Sequence, residues 1–369
     1  MMIKRLQTVI PYKNVDNDIV PKKNIVIEFD NAIKYIGQSG TSGYATAAKG
    51  YIADYILKGV PISWQPLIFD NSKNDRNYYV DALAESVINK EYNKYESVII
   101  HSTPDLWDRF IDENKEIPKK IGYCTWETDK LPNNWINSIN KMDEVWVPSE
   151  FNRLIYKRSG VETTIKVVPH IKHQYIQLQT SAITLYDYYG NVIPKDKFTF
   201  YSIGELNFRK GIEDLITIFD KLRVKYKNIQ LVLKLHYKEY SEKDKLYCLD
   251  TINKLTNRLC TSIFVILDNL NYQEMIALHT FGNCYVSLNK GEGFGLTIFD
   301  AFNMGKDIIC TNYSGYLDYL GIDYKGLCNY KLGNIKAMSS FSKNYTEDQQ
   351  WAYPDLNHAY SLMENLIKG

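Results

Sequence analysis

The sequence has no C-x-x-C pair. Its six cysteines, at 124, 248, 260, 284, 310 and 328, are scattered and have no close histidine partner. That spacing argues against a zinc site, and so few thiols in so long a chain do not make a disulfide framework. Reduced thiols in a cytoplasmic compartment are the expected state, and on that reading the sequons at Asn312 and Asn344 stay unmodified. An excess of one charge is also missing. The net charge of +1 leaves no basic footprint for nucleic acid, although a local patch on one face is not excluded. No window reaches the roughly 20 apolar residues of a spanning helix. The first ten residues lack the apolar stretch of a signal peptide. Peripheral attachment to a membrane through a basic and aromatic face stays open, but no amphipathic anchor stands out. Short-period repeats and low-complexity segments are absent as well.

What remains is an ordinary globular composition, 45% hydrophobic and 24% charged over 369 residues, which is long enough for two domains. Residues 1–23 read as a polar arm, whose Asp16-Asn-Asp18 follows no strand and is taken as a turn. Short buried strands are expected at Asn24 to Phe29, Ile62 to Leu67, Ser97 to His101, Lys120 to Glu127, Glu144 to Ser149 and Thr164 to His170. A glycine-rich loop from Gly37 to Gly43 precedes a helix over 44–57, and another helix covers 150–159. The alternation breaks over 172–196 and then restarts. Strands are expected at Phe198 to Ile203, Gln230 to Leu235, Ile263 to Leu267 and Cys284 to Leu288. Helices are expected at 212–226 and 273–280, with an amphipathic helix closing the chain. Strand-to-helix alternation on both sides of a linker predicts an α/β protein with two parallel-sheet domains facing a cleft.

The densest signal is Asn289 to Thr311. Gly291, Gly293 and Gly295 recur at every second position, a short apolar helix follows, Gly305 breaks it, and Ile308-Ile309-Cys310 reads as the next strand. Strand, glycine loop, helix and strand form the grammar of a nucleotide-binding unit. Glu292 and Asp300 stand eight residues apart across the loop-to-helix junction. Gly40 to Gly43 offers a second set of unhindered N–H groups at a helix start, a seat for an anion, though a glycine-rich loop alone is equally a tight turn.

These stretches together resemble the retaining glycosyltransferases of the GT-B fold, in the large group called family 4, over roughly 24–369. Glu292 to Asp300 resembles the family's E-x7-E motif with aspartate in second place. Phe200 to Gly211 resembles the strand, loop and helix start that end in a lysine–glycine pair. Trp126 to Pro132 and Asp143 to Phe151 resemble stretches of the N-terminal domain in one branch of the family, and Gly160 to His170 resembles the segment that leads to the linker. The resemblance implies two Rossmann-like domains: an acceptor domain over 1–177, a linker over 178–197 and a donor domain over 198–354. It also implies that the C-terminal helix, 355–369, returns to pack on the first domain.

By the same resemblance the enzyme moves a sugar from a UDP- or GDP-sugar to a hydroxyl acceptor, such as a glycan, with retention and without cofactor or metal. The base would meet the loop near Asp268 to Leu270. Charge grows on the departing diphosphate, so fixed positive groups are needed there; Lys210 fits, with Arg209 beside it. The backbone of Gly293, Phe294, Gly295, Leu296 and Thr297 starts a helix and can cradle the same diphosphate. Glu292 accepts donor-sugar hydroxyls, Asp300 reaches the ribose, and Gly43 walls the phosphates. Two features depart from the pattern. Glu205 stands where many members have arginine, with Arg209 as the substitute charge. Cys124-Thr-Trp-Glu127 occupies the region where many carry a histidine, so Glu127 is the reaction-centre candidate and His101 the second. Two other readings stay open: a catalytically silent nucleotide-sugar or glycan-binding module, and a nucleotide-sugar epimerase on the same fold.

Overall fold

The computed structural model describes residues 31–68, 79–172, 184–236, 242–256, 261–335 and 344–369. The strand expected at Asn24 to Phe29, the Asp16-Asn-Asp18 turn and much of the linker lie outside them. The first unit alternates β1 (Ala32–Gln38), α1 (Gly43–Leu57), β2 (Ile62–Leu67), α2 (Tyr79–Glu85), β3 (Tyr95–His101), α3 (Trp107–Glu113) and β4 (Lys119–Tyr123). It continues through α4 (Ile136–Ile139), β5 (Glu144–Val147), α5 (Glu150–Arg158) and β6 (Thr164–Val167). Its six strands pair in the order β2-β1-β3-β4-β5-β6, every pair parallel.

The second unit repeats the scheme with β7 (Phe198–Glu205), α6 (Ile212–Lys225), β8 (Ile229–His236), α7 (Glu242–Thr256), β9 (Ile263–Ile266) and α8 (Tyr272–Phe281). It then adds β10 (Cys284–Ser287), α9 (Leu296–Asn303), β11 (Asp307–Thr311), α10 (Leu317–Leu320) and β12 (Leu327–Cys328). The order is β12-β11-β10-β7-β8-β9, again all parallel. Parallel strands are covered on both faces, so they read as continuous apolar runs. In β8 all residues but the last are buried. Alternate β8 residues divide between two cores. Leu231, Leu233 and Leu235 pack with Ile212, Leu215, Ile216 and Phe219 of α6, while Val232 packs with Tyr201, Ile203 and Tyr285 on the other face.

An antiparallel pair, β13 (Tyr330–Asn334) with β14 (Gln350–Pro354), leads to α11 (Leu356–Lys368). This last helix does not return to the first unit as expected. It lies on the second, where Ala359 and Met363 join the core built on α6. Glu364 accepts from Lys225 Nζ at 2.7 Å and from Tyr226 O–H at 3.0 Å. The cause is local: the Asp355 N–H donates to the Asn329 carbonyl at 2.7 Å, so β14 delivers the helix beside β12, where its apolar stripe finds an apolar partner. The chain does cross back, but through 344–350. Lys130 pairs with Asp348, and the Gln350 N–H donates to Asp129 Oδ1 at 2.5 Å.

Candidate active site

In an open parallel sheet the strand order reverses at one place, and the loops beyond the carboxyl ends of the strands there diverge and leave a crevice. In the second sheet that place is between β7 and β10. The loop after β7 carries Arg209 and Lys210; the loop after β10 carries Glu292. Asn207 starts the tight turn that presents the two cations, its Oδ1 accepting from the Lys210 N–H at 3.0 Å. Lys290 braces the two loops against each other: its ammonium donates to Asp214 Oδ2 at 2.6 Å and to the Phe208 carbonyl at 2.9 Å.

Three side chains meet as a result. The Lys210 ammonium donates to Glu292 Oε1, and Arg209 Nη1 lies 3.1 Å from the same oxygen. Arg209 is buried, and Nη1 also donates to the Gly291 carbonyl at 2.7 Å. Across the cleft its Nη2 is 3.5 Å from Glu127 Oε1. Burial of Glu292 favours its neutral acid, but the two adjacent cations outweigh this and hold its carboxyl below the usual range. Burial of Arg209 opposes its charge; Glu127 and Glu292 more than restore it. The pairs are enclosed by protein on most sides, so Coulomb attraction is screened less than at a surface.

The glycine loop fits the first unit closely. Lys120 to Tyr123 extends the sheet as β4, but Cys124 to Glu127 leaves it and runs along the loop. A Cβ on Gly291 would run into the Glu127 carbonyl, and one on Gly293 into Thr125 Oγ1. The Gly293 carbonyl is taken by Ser149 Oγ at 2.7 Å, and Asn152 Nδ2 donates to the Trp126 carbonyl at 2.9 Å. Asp318 accepts from the Glu150 N–H at 2.6 Å. The loop is therefore held by groups of both units.

The remaining predicted residues fall into three places. Phe294 packs with its ring 4.6 Å from His170 and 5.2 Å from Tyr319. Gly295, at φ +80°, caps α9, which starts at Leu296. Thr297 Oγ1 accepts from Tyr285 O–H at 2.7 Å. Asp300 lies half-buried farther along α9, and its charge is among those that raise the Tyr201, Tyr285 and Tyr319 hydroxyls, after burial. Gly43 opens α1 and faces α9: a Cβ there would sit 3.7 Å from Leu296 Cδ1. His101 ends β3 inside a tyrosine cage, with Nδ1 2.7 Å from Tyr35 Oη and its ring 4.3 Å from Tyr123. Burial, then the charge of His170, keeps it neutral. Glu205 accepts from Asn207 Nδ2 at 2.7 Å, so it supports the turn that presents Lys210.

Sequence reasoning missed Tyr345, Ser149, Asn152 and Ser314, whose Oγ accepts from the Glu292 N–H at 3.0 Å. Ser149 is legible locally only as the cap of α5, its Oγ accepting from the Asn152 N–H at 3.2 Å; the contacts of all four with the site form only in the folded molecule. Among the described residues no three or more His, Cys, Asp or Glu side chains gather in a metal-ligand arrangement, and no helix is long and apolar enough to cross a membrane.

The model of the family Glycosyl transferases group 1 matches residues 190–350. No curated protein matches the chain significantly. Among solved structures, sucrose-phosphate synthase from Thermosynechococcus elongatus aligns with a TM-score of 0.62 at 12% identity, over 92% of this chain and 90% of that one. A glycosyltransferase from Rickettsia africae aligns with a TM-score of 0.56 at 14% identity, over 82% and 84%. HepE of Anabaena, in complex with UDP-glucose, aligns with a TM-score of 0.55 at 13% identity, over 78% and 82%. At such identities the likeness is one of fold. The fold is GT-B, as the resemblance read from the sequence implied, and the match to the glycosyl transferases group 1 model falls largely on the second unit.

Proposed function

We propose that the protein is a glycosyltransferase that moves a sugar from a nucleotide-sugar donor, UDP- or GDP-linked, to a hydroxyl acceptor such as a glycan, with retention. The observation that carries this reading is the meeting of Lys210, Arg209 and Glu292 at the reversal point of the second sheet, beside the first turn of α9 and opposite Glu127.

In this mechanism the bond between the anomeric carbon and the diphosphate oxygen breaks, and its electron pair leaves with the diphosphate. The acceptor oxygen attacks from the same face, and its proton passes to the departing phosphate. The negative charge that develops is met by the Lys210 ammonium and by the N–H groups of the first helical turn, which have no intrahelical acceptor. Glu292 accepts donor-sugar hydroxyls; with Lys210 drawn to the diphosphate, it keeps Arg209 as its counter-charge. Glu127 faces the positive charge that builds on the sugar ring. Asp300 is the ribose contact, and Gly43 closes the phosphate site from the first unit. His101, caged among tyrosines, supports the wall from behind. This reading assigns no metal. The UDP-glucose bound in the HepE complex supports a nucleotide-sugar donor.

The test is a panel of UDP- and GDP-sugars screened by thermal shift, followed by donor turnover with and without acceptor. One donor is expected to raise the midpoint and to turn over faster with acceptor present. Lys210→Ala should lower kcat by roughly 100- to 1,000-fold, the usual effect of removing one donor to a developing anion. Unchanged turnover in Lys210→Ala and Glu292→Ala would remove the site assignment.

A further inference from the structure

Among the described residues, Glu127 is the one charged member of the candidate site contributed by the first unit, and its carboxylate is engaged by groups from later in the chain. Oε1 faces Arg209 at 3.5 Å. Oε2 accepts from the Tyr345 hydroxyl at 2.7 Å. Tyr345 belongs to the stretch, 344–350, that crosses from the second unit to the first. Its ring stacks on Trp126, with centroids 5.1 Å apart and planes 24° apart, and lies edge-on to Trp351 at 5.5 Å. Trp351 is fully buried and pairs Gly333 within the β13–β14 ladder. The phenol ring is therefore clamped between an indole of each unit, and its hydroxyl can point along little else than the direction of Glu127. Burial, then the nearby carboxylate, raises the phenol well above its ordinary value, so the hydroxyl keeps its proton and stays a donor.

We propose that Tyr345 is the positioning residue for Glu127: it holds one carboxylate oxygen, while Arg209 faces the other, so that the carboxylate meets the reacting sugar in one orientation. This rests on the reading of the protein as a glycosyltransferase with Glu127 at the reaction centre. A carboxylate on a flexible stem turns freely unless both oxygens are engaged, and loose placement of a group at a reaction centre is heavily penalised. Tyr345 comes from the stretch that crosses back and packs on the core of the first unit, while Arg209 belongs to the second, so both oxygens are engaged only when Arg209 is in place opposite.

Tyr345→Phe keeps the ring and its stacking and removes only the hydroxyl. Its thermal midpoint is expected to match that of the parent protein, as are its donor KM and its affinity for the free nucleoside diphosphate. Its kcat should fall by roughly 10- to 100-fold, the scale set by misplacement of a reacting group. Combined with Glu127→Gln, the change should add little to the loss that Glu127→Gln already causes, because coupled residues are not additive. An unchanged kcat, or an equal fold loss in both backgrounds, overturns the proposal. A crystal structure of Tyr345→Phe decides it without any assay: the Glu127 carboxylate is expected to turn away, and one that stays opposite Arg209 in its original orientation overturns the assignment. If the unmodified protein turns over no nucleotide sugar, the function fails while the crystal structure still settles the role of Tyr345.

Discussion

Two glycine-rich loops stand at the starts of α1 and α9, and they are built differently. The first, Gly37 to Gly43, ends in an ordinary helix cap: Ser42 Oγ accepts from the Ala45 N–H at 3.1 Å, and Ser42 also donates to Gln38 Oε1 at 2.8 Å. Thr41 and Ser42 are exposed. In the second, Gly291 and Gly293 have no room for a Cβ, and Gly295 caps α9 with no side-chain bond. One loop stabilises a helix through a side chain; the other gives up side chains so that its backbone can lie against the opposite unit. Glycine count does not distinguish them. What converges on each loop does: Lys210, Arg209 and Glu127 gather at the second.

That contrast can be broken by putting a methyl group where none fits. Gly293→Ala forces the loop away from Thr125. A displacement of about 1 Å at a reaction centre can lower turnover about a hundredfold, and steady-state kinetics should show a loss of that order. Normal kcat in this variant would mean that the two units do not close as described.

A smaller effect follows from Glu292. Its carboxyl is held below the usual range, so its pairing is fully present above the unfolded glutamate value of about 4.3. The stability it contributes is lost as pH falls below that value through the lower folded one. Thermal midpoints of the parent protein and of Glu292→Gln should therefore differ at neutral pH and converge on acidification below about pH 4. Parallel curves would show that the ion pairs carry no net stability.

The smallest effect sharpens the comparison from the other side. Ser42→Ala removes the cap of α1 and should lower stability by about 1 kcal/mol, read by chemical denaturation, with kcat little changed. A large loss of turnover in Ser42→Ala would place the first loop in the chemistry alongside the second.

Much of the fold was legible because parallel strands are short apolar runs and their helices carry one apolar stripe. The expected 212–226 helix is observed at Ile212–Lys225, and the expected Ile263 to Leu267 strand at Ile263–Ile266. Several elements were not read, among them β1 (Ala32–Gln38), which runs into the stretch expected as a loop from Gly37, and the helices α2 and α3; three further features show why. The α7 helix opens Glu242-Lys-Asp-Lys, a charged start with no visible stripe. In β13 only two of five residues are even half-buried, so it has no alternation to read. The docking of α11 depends on where β14 releases the chain rather than on the helix itself, whose amphipathic pattern fits either unit. In the candidate site, Glu292, Lys210 and the glycines stood out through motif spacing. Tyr345 could not, since 218 residues separate it from Glu127 and one tyrosine among thirty carries no signal of its own. Arg209 was expected to serve the diphosphate; its contacts with Gly291, Glu292 and Glu127 became visible only in three dimensions.

The close fit of Gly293 beneath Thr125 and Ser149 makes the halves of this molecule poor candidates for exchange. A hybrid that joins its second unit to the first unit of a fold relative would bring a foreign surface against a backbone with no tolerance for an extra atom. Grafting the strip from Cys124 to Asn152 along with the second unit carries with it the surface that meets Gly291 and Gly293.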